Sequence, residues 1–331
     1  MNVLVIGKPV ISTIIPLEKF LLEGSKININ GKTEEVSGIS VYVAKMLKYW
    51  GMQVYYAGSV CGDELGLKIK DELENDGINI NYMEVDYEHH TSLNYTLLNK
   101  ENASSTQMIL DNGVYLTKHR YDINPEYIIT DGTDMGASIA AANNYPKAKI
   151  IFLANKVNND YYNFSKRAHY VCASSSFASA LTKMPLDYKP KSLVNLYQKI
   201  KDLNKASYIV MLQDKGVLYA KDLNVKQIPA ISIEKEDDTY SGSAFFGAYA
   251  YGIVNGLDID DIAKIANISG GLALREVGIK SIPNKEEVFK LAGIKIENND
   301  KLEVTETLEE LEVLDNTEPV NNINNEGTTN E

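Results

Sequence analysis

Short, continuously apolar runs recur along this chain between stretches with helical spacing, and that rhythm restricts its fold more than any other feature. Val3-Leu4-Val5-Ile6-Gly7 reads as a buried strand ending in a glycine turn, followed by a strand at Gln53-Val54-Tyr55-Tyr56-Ala57-Gly58. Further runs follow at Tyr127-Ile128-Ile129-Thr130, Lys149-Ile150-Ile151-Phe152-Leu153 and Tyr208-Ile209-Val210-Met211-Leu212. Helices are predicted over 40–50 and 64–76, the second stopping at Gly77, a natural helix end. Strands alternating with helices predict a mostly parallel sheet covered by helices. Two stretches break the rhythm. Residues 13–36 and 91–115 alternate apolar and polar side chains, as in Ser92-Leu93-Asn94-Tyr95-Thr96-Leu97-Leu98, and predict antiparallel excursions forming a small lid sheet.

Charge divides the 331 residues into two parts. Of the formal net charge of −12, residues 298–331 carry −9, from ten Asp and Glu against Lys301 alone. Residues 1–297 are therefore almost neutral, and no basic stripe suits a nucleic acid. The tail, ending in Asn321-Asn322-Ile323-Asn324-Asn325-Glu326-Gly327, has no core-forming pattern and is expected to be disordered. Leu308, Leu311 and Leu314 could face one side of a short helix from Thr305, read first as a marginal helix in a solvated acidic extension and second as a segment for docking a protein partner. No apolar run approaches the roughly 18 residues of a membrane span. Two cysteines, Cys61 and Cys172, provide no disulfide framework, so a cytoplasmic protein is expected. His89, His90, His119 and His169 show no metal-ligand spacing.

Four motifs, in order, carry a family likeness. Asp237-Asp238-Thr239-Tyr240-Ser241-Gly242-Ser243-Ala244-Phe245-Phe246-Gly247-Ala248 resembles the D-T-x-G-A-G-D-x-F-x-G-A signature of the ribokinase/PfkB family of sugar and nucleoside kinases. Gly58-Ser59-Val60-Cys61-Gly62-Asp63-Glu64-Leu65-Gly66 resembles that family's G-x-V-G-D-D-x-F-G. Ser37-Gly38-Ile39-Ser40-Val41-Tyr42-Val43-Ala44 sits where members carry the sugar-binding G-G-x-x-x-N-x-A. Asn267 to Ala273 and Gly278 to Pro283 suit the last helix pair. The likeness covers about residues 1–293. It implies a Rossmann-type, three-layer α/β/α domain over 1–297 with a β-sheet lid, followed by the acidic tail. It also implies ATP and Mg2+ as cofactors if the protein is active, and a homodimer through the lid sheet.

The same resemblance assigns roles that several residues here fill poorly. Phosphorylating an alcohol needs a base for its proton and donors for charge on the moving phosphoryl group. In the family, the last Asp of G-A-G-D is the base, and the preceding turn is an anion hole at a helix N-terminus. Ser243 stands at the base position, with Asp237 or Asp238 as a substitute base, and Tyr240, Ser241 and Gly242 stand at the anion hole. A hydroxyl that is neutral at pH 7 is no useful base. Tyr240 replaces a glycine whose freedom at positive φ helps make the tight turn. Ser12 and Tyr42 stand where members place a sugar-binding aspartate and asparagine, and Ser37 and Gly38 where they place the glycine pair. The magnesium-organising N-x-x-E falls near Ser174-Ser175-Ser176-Phe177, with neither amide nor carboxylate. Of a nucleotide loop at Met211 to Gly216 only Gly216 survives, and Asn267 is the further nucleotide-side residue.

Losing base, sugar aspartate, sugar asparagine and metal glutamate together implies a scaffold released from catalysis. The expected role is binding, regulation or assembly. Two alternatives stand beside it: an active or slow ATP-dependent sugar or nucleoside kinase with a rearranged base, and a nucleotide or metabolite sensor without turnover.

Overall fold

The computed structural model describes residues 1–19, 21–296 and 302–304. Its main sheet has eight strands, in the spatial order Asn224–Ile228, Val217–Lys221, Ser207–Met211, Tyr170–Ser174, Lys149–Ala154, Tyr127–Thr130, Val3–Ile6 and Val54–Ala57. From Ser207–Met211 to Val54–Ala57 all neighbours run parallel, and the other edge is an antiparallel hairpin. The five apolar runs of the sequence all lie in this sheet. Val3 and Val5 enter one hydrophobic core while Leu4 and Ile6 enter another, so both faces are covered. That double covering is why the strands read as unbroken apolar runs.

The predicted helices appear as Ile39–Tyr49 and Glu64–Asn75. Ser241–Val254 is the most deeply packed helix, with every residue from Ser243 to Val254 buried. Its sequence is apolar almost all round, as a helix flanked on several sides must be. It packs against both Ile39–Tyr49 and Ile259–Leu272.

The lid is a four-stranded sheet in the order Thr33–Ser37, Val10–Leu17, Leu93–Asn99, Ser104–Leu110. It differs from the expected antiparallel excursion in two ways. Its first strand begins at Val10, directly after the turn that leaves Val3–Ile6, so the lid grows out of the main sheet without a linker. Val10–Leu17 also pairs parallel with Leu93–Asn99, because a whole strand–helix unit separates them in the chain. Of the stretch expected to be disordered, Leu302–Val304 form a short strand against Ile294–Ile296. The proposed helix at Leu308, Leu311 and Leu314 lies outside the described residues. Among the described residues, no helix is long and apolar enough to cross a membrane.

Candidate active-site cleft

Ligands of open α/β sheets bind beyond the carboxyl ends of the strands, and a cleft of about 420 Å³ opens there between the sheet and the lid. Lys8 follows the strand Val3–Ile6, Thr133 follows Tyr127–Thr130, and Asn155 and Lys156 follow Lys149–Ala154; all line the cleft. From the lid come Ser92, Asn94, Gln107, Ile109 and Asp111.

Lys8 is 8% exposed and is held from several directions. Its backbone N–H donates to Thr133 Oγ1 at 2.9 Å, and its ammonium pairs with Asp111 and lies 4.6 Å from the centre of the Tyr115 ring. Gly38 lets the next helix start against it. That residue sits at φ 118, and a Cβ would meet the Lys8 carbonyl oxygen at 2.7 Å. Beneath the floor, the buried Asp131 accepts from Ser40 N, Thr133 N and Thr133 Oγ1 at 2.9, 2.9 and 2.5 Å. Burial pushes its carboxyl pKa up against those bonds.

The N-terminus of Ser241–Val254 opens onto the cleft through Tyr240, Gly242 and Ser243. No side chain caps it, so its first N–H groups and the helix dipole favour an anion. A Cβ at Gly242 would meet no atom within 4 Å. Ser241 does not line the cleft; its hydroxyl donates to the Gly270 carbonyl at 2.8 Å. Tyr240 has φ −106 and ψ 5, so the turn forms without the positive φ expected from the family glycine. Asp237 is 1% exposed and sits behind the turn. One of its oxygens accepts from Thr239 N and Thr239 Oγ1 at 2.9 and 2.5 Å, and the other from Gly278 N at 3.1 Å. Asp238 is exposed and accepts from Ser105 Oγ at 2.9 Å.

Behind Tyr240 the polar groups close on one another. Glu35, 7% exposed on the lid strand Thr33–Ser37, accepts from the Tyr240 hydroxyl at 2.6 Å and from Ile279 N at 2.8 Å. The Ser37 and Tyr240 hydroxyls share a hydrogen bond. The Tyr240 ring stacks on Tyr42 at 4.9 Å and 17°, and the Tyr42 hydroxyl meets Ser281 Oγ at 3.2 Å. Burial pushes the Glu35 carboxyl above its ordinary range, with the Tyr240 and Ile279 hydrogen bonds pulling the other way. Burial likewise raises the Tyr42 phenol and, with Glu35 beside it, that of Tyr240.

The structure therefore brings Ser37, Gly38, Tyr240, Gly242 and Ser243 to one cleft, but not every expected residue. Ser12 is fully buried one layer behind the wall, where its hydroxyl accepts from Asn94 Nδ2 at 3.3 Å. Tyr42 also lies behind the wall. Gly216 and Asn267 meet elsewhere: Gly216, at φ 85, turns tightly against the Ile228 carbonyl and Ala230, and Asn267 donates to the Pro229 carbonyl at 2.7 Å. Phe177 is fully buried 5.2 Å from Tyr162, while Ser174 caps its own helix by accepting from Phe177 N at 3.1 Å. Sequence reasoning overlooked Lys8, Asn94, Asp111, Asn155 and Lys156. For Lys8, Asn155 and Lys156 a signal existed, since each directly follows an apolar run that became a parallel strand.

The donor set does not suit a resident magnesium ion. Mg2+ takes hard oxygen ligands from carboxylates, Asp111 is the one acid lining the cleft, and no group of three potential ligands occurs among the described residues.

A two-faced α/β/α sheet, a lid growing from its first strand and an uncapped helix start between them define a class, the ribokinase-like proteins. The model of the pfkB family carbohydrate kinases matches residues 2–287, and the chain belongs to that family. It is 23% identical over 273 residues to the bifunctional protein HldE of Sulfurimonas denitrificans, covering 77% of this chain and 56% of that relative, so it spans about half of HldE's length. In structure it matches a putative ribokinase from Agrobacterium tumefaciens with a TM-score of 0.78 at 16% identity, covering 88% of this chain and 97% of the other. The ribokinase of Cryptococcus neoformans var. grubii serotype A, in complex with ADP, matches with a TM-score of 0.72 at 18% identity, covering 87% and 99%.

Proposed function

We propose that this PfkB-family protein binds a small polar ligand in the cleft without phosphorylating it, and acts in the cytoplasm as a binding, regulatory or assembly protein. The observation that carries this reading is the state of the acids around Ser243. Asp237 is occupied by Thr239 and Gly278 behind the turn. Asp111 lines the cleft but is paired with Lys8. Burial acts to raise the Asp111 pKa, yet the Lys8 ammonium and the Gly113 N–H together hold it below the usual carboxylate range. A carboxylate stabilised in that way is a weak proton acceptor, and a missing general base is worth about 10²–10⁴-fold in rate.

The competing reading is a kinase that has recruited Asp111, and its support is that Asp111 and Ser243 share one cleft. In that case ATP would be the phosphoryl donor, with its phosphates at the open helix start of Gly242, and Mg2+ would reach the site with the nucleotide rather than on a protein carboxylate cage. Incubation with Mg-ATP and a panel of sugars and nucleosides, scored by ADP release, separates the two. No release above the protein-free rate is expected. Release that Asp111→Asn abolishes establishes the kinase instead.

The assembly part of the proposal rests on the lid edge. Ser104–Leu110 is one of the two edge strands of the lid and exposes Met108, Ile109 and Leu110, the kind of unpaired edge that pairs with a second copy. Light scattering should give a concentration-dependent mass that Ile109→Lys lowers, and a monomer at all concentrations refutes it.

A further inference from the structure

We infer that the acidic segment 305–331 docks on a basic surface of its own chain, at the pole of the main sheet opposite the cleft. Three loops build that surface. Residues 145–149, 166–169 and 204–206 lead from the helices Met135–Asn144, Asn159–Ser165 and Pro190–Leu203 into the strands Lys149–Ala154, Tyr170–Ser174 and Ser207–Met211. The three strands are parallel neighbours, so these loops share their amino ends, while the cleft opens at the carboxyl ends. Backbone bonds set the loops side by side: His169 N donates to the Ile150 carbonyl at 3.0 Å, and Ser207 N to the His169 carbonyl at 2.9 Å.

The three loops hold Lys147, Lys149, Lys166, Arg167 and Lys205 and no acid, in a chain that is −12 overall. All five side chains are exposed. Among the described residues none of them forms an ion pair. Arg167 donates to Asn143 Oδ1, and the Lys149 ammonium lies 5.7 Å from the centre of the Tyr127 ring. With Lys201 and the acids beside the loops, Glu126 and Asp202, six cations face two acids. Like charges gathered without counter-charges repel one another, and an anion among them relieves that repulsion. The patch is no stripe in the sequence, because its members are spread from Lys147 to Lys205 and only the sheet brings them together.

The chain carries a matching anion. Residues 305–331 hold eight acids and no base, and six of the eight fall between Glu306 and Glu318. They lie outside the described residues, beyond Leu302–Val304, which pairs with Ile294–Ile296. The helix before that strand pair, Lys285–Leu291, packs at the same pole as the basic loops. Lys285 Nζ donates to the Trp50 carbonyl at 3.3 Å and the Phe289 ring lies 5.9 Å from the Trp50 ring; Trp50 closes Ile39–Tyr49 just ahead of the strand Val54–Ala57. Four strand spacings, about 19 Å, separate Val54–Ala57 from Tyr170–Ser174, the strand that follows the middle loop. Thr305 to Glu318 alone can extend about 45 Å, so reach is ample. Leu308, Leu311 and Leu314 interleave with the acids, and Leu203, 41% exposed beside the third loop, offers them an apolar contact. Exposed ion pairs are weak singly, but tethering makes their association intramolecular, and a foreign polyanion has to displace a segment already present. This docking is independent of what the cleft binds or whether it transfers a phosphoryl group.

The test is carbodiimide coupling of the full chain, which joins a lysine to a carboxylate only where the two touch, read by peptide mass spectrometry. At low salt, acids between Glu306 and Glu318 should couple to Lys147, Lys149, Lys166 and Lys205 about tenfold more often than to Lys100 and Lys235, exposed lysines elsewhere. Salt at about 0.5 M should erase that preference. Lys149→Gln combined with Arg167→Gln removes two exposed charges, and circular dichroism checks that the fold is kept. A glutamate-specific protease should then cut between Glu306 and Glu318 about fivefold faster than in the parent. Coupling spread evenly over the surface lysines, or equal cleavage of parent and variant, overturns the inference. Coupling found only between isotope-labelled and unlabelled copies overturns it in favour of a second copy's segment. A single-stranded oligonucleotide that binds the parent at physiological salt and not the variant overturns it in favour of a nucleic-acid surface.

Discussion

The two walls of the cleft have solved the problem of buried polar groups in opposite ways. On the Tyr240 side, Glu35, Ser37, Tyr42 and Ser281 are joined by hydrogen bonds and a ring stack, and no partner is left over. On the Lys8 side, two amide oxygens lack partners and a buried ammonium shares its charge with a half-exposed acid. The contrast separates a wall whose polar groups are satisfied within the protein from one whose polar groups line an open cleft. Tyr42 and Tyr240, which the sequence resemblance sets at an asparagine and a glycine position, are part of a hydrophobic core. On the open wall, Asn94 Oδ1 from the lid and Asn155 Oδ1 from a strand end are left without a hydrogen-bond partner.

Replacing Tyr240 with glycine is the severest way to break this contrast. It removes a buried ring stacked on Tyr42 and strips Glu35 of one donor. A loss of about 4 kcal/mol in urea-monitored unfolding is expected, and a loss under about 1 kcal/mol would show that the wall is not part of the core.

Next in size is Glu35. Its folded pKa is raised, so protons bind the folded state more readily than the unfolded one. Its contribution is then most favourable below the unfolded pKa and declines as pH rises through the folded value. Glu35→Gln keeps an acceptor for Tyr240 and Ile279 but cannot ionise. Unfolding measured from pH 4 to pH 8 should show a flatter decline for the variant than for the parent, and identical slopes would place the titration elsewhere.

Smallest is Gly242→Ala on the open side. The added methyl meets nothing within 4 Å, so stability should change by less than about 1 kcal/mol, with alanine favoured by helix propensity. Ligand affinity should fall instead, because the methyl projects into the cleft. A large stability loss with unchanged affinity would reverse the assignment of open and closed walls.

Much of the architecture was legible beforehand because strand burial on both faces leaves a direct mark on composition. The lid alternation, the strand ends and Ser243 at the start of its helix were readable from local pattern and motif. Ser12 and Tyr42 were readable only as positions in a motif, and a motif does not say which side of a wall a side chain occupies. Asp111 could not be found at all from its own surroundings, since its relation to Lys8 spans 103 residues.

What the linear order of residues determined alone was the layered sheet and the lid, because each follows from periodicity over a few neighbouring positions, while Ser243 was marked only through a resemblance to a family motif. Only the tertiary structure decided that Asp237 is spent on Thr239 and Gly278, that Tyr240 belongs to Glu35, and that Lys8 faces an open cleft. Those outcomes depend on which distant polar groups meet when water is excluded. Burial makes such pairing compulsory, and it is a property of the assembled volume rather than of any segment.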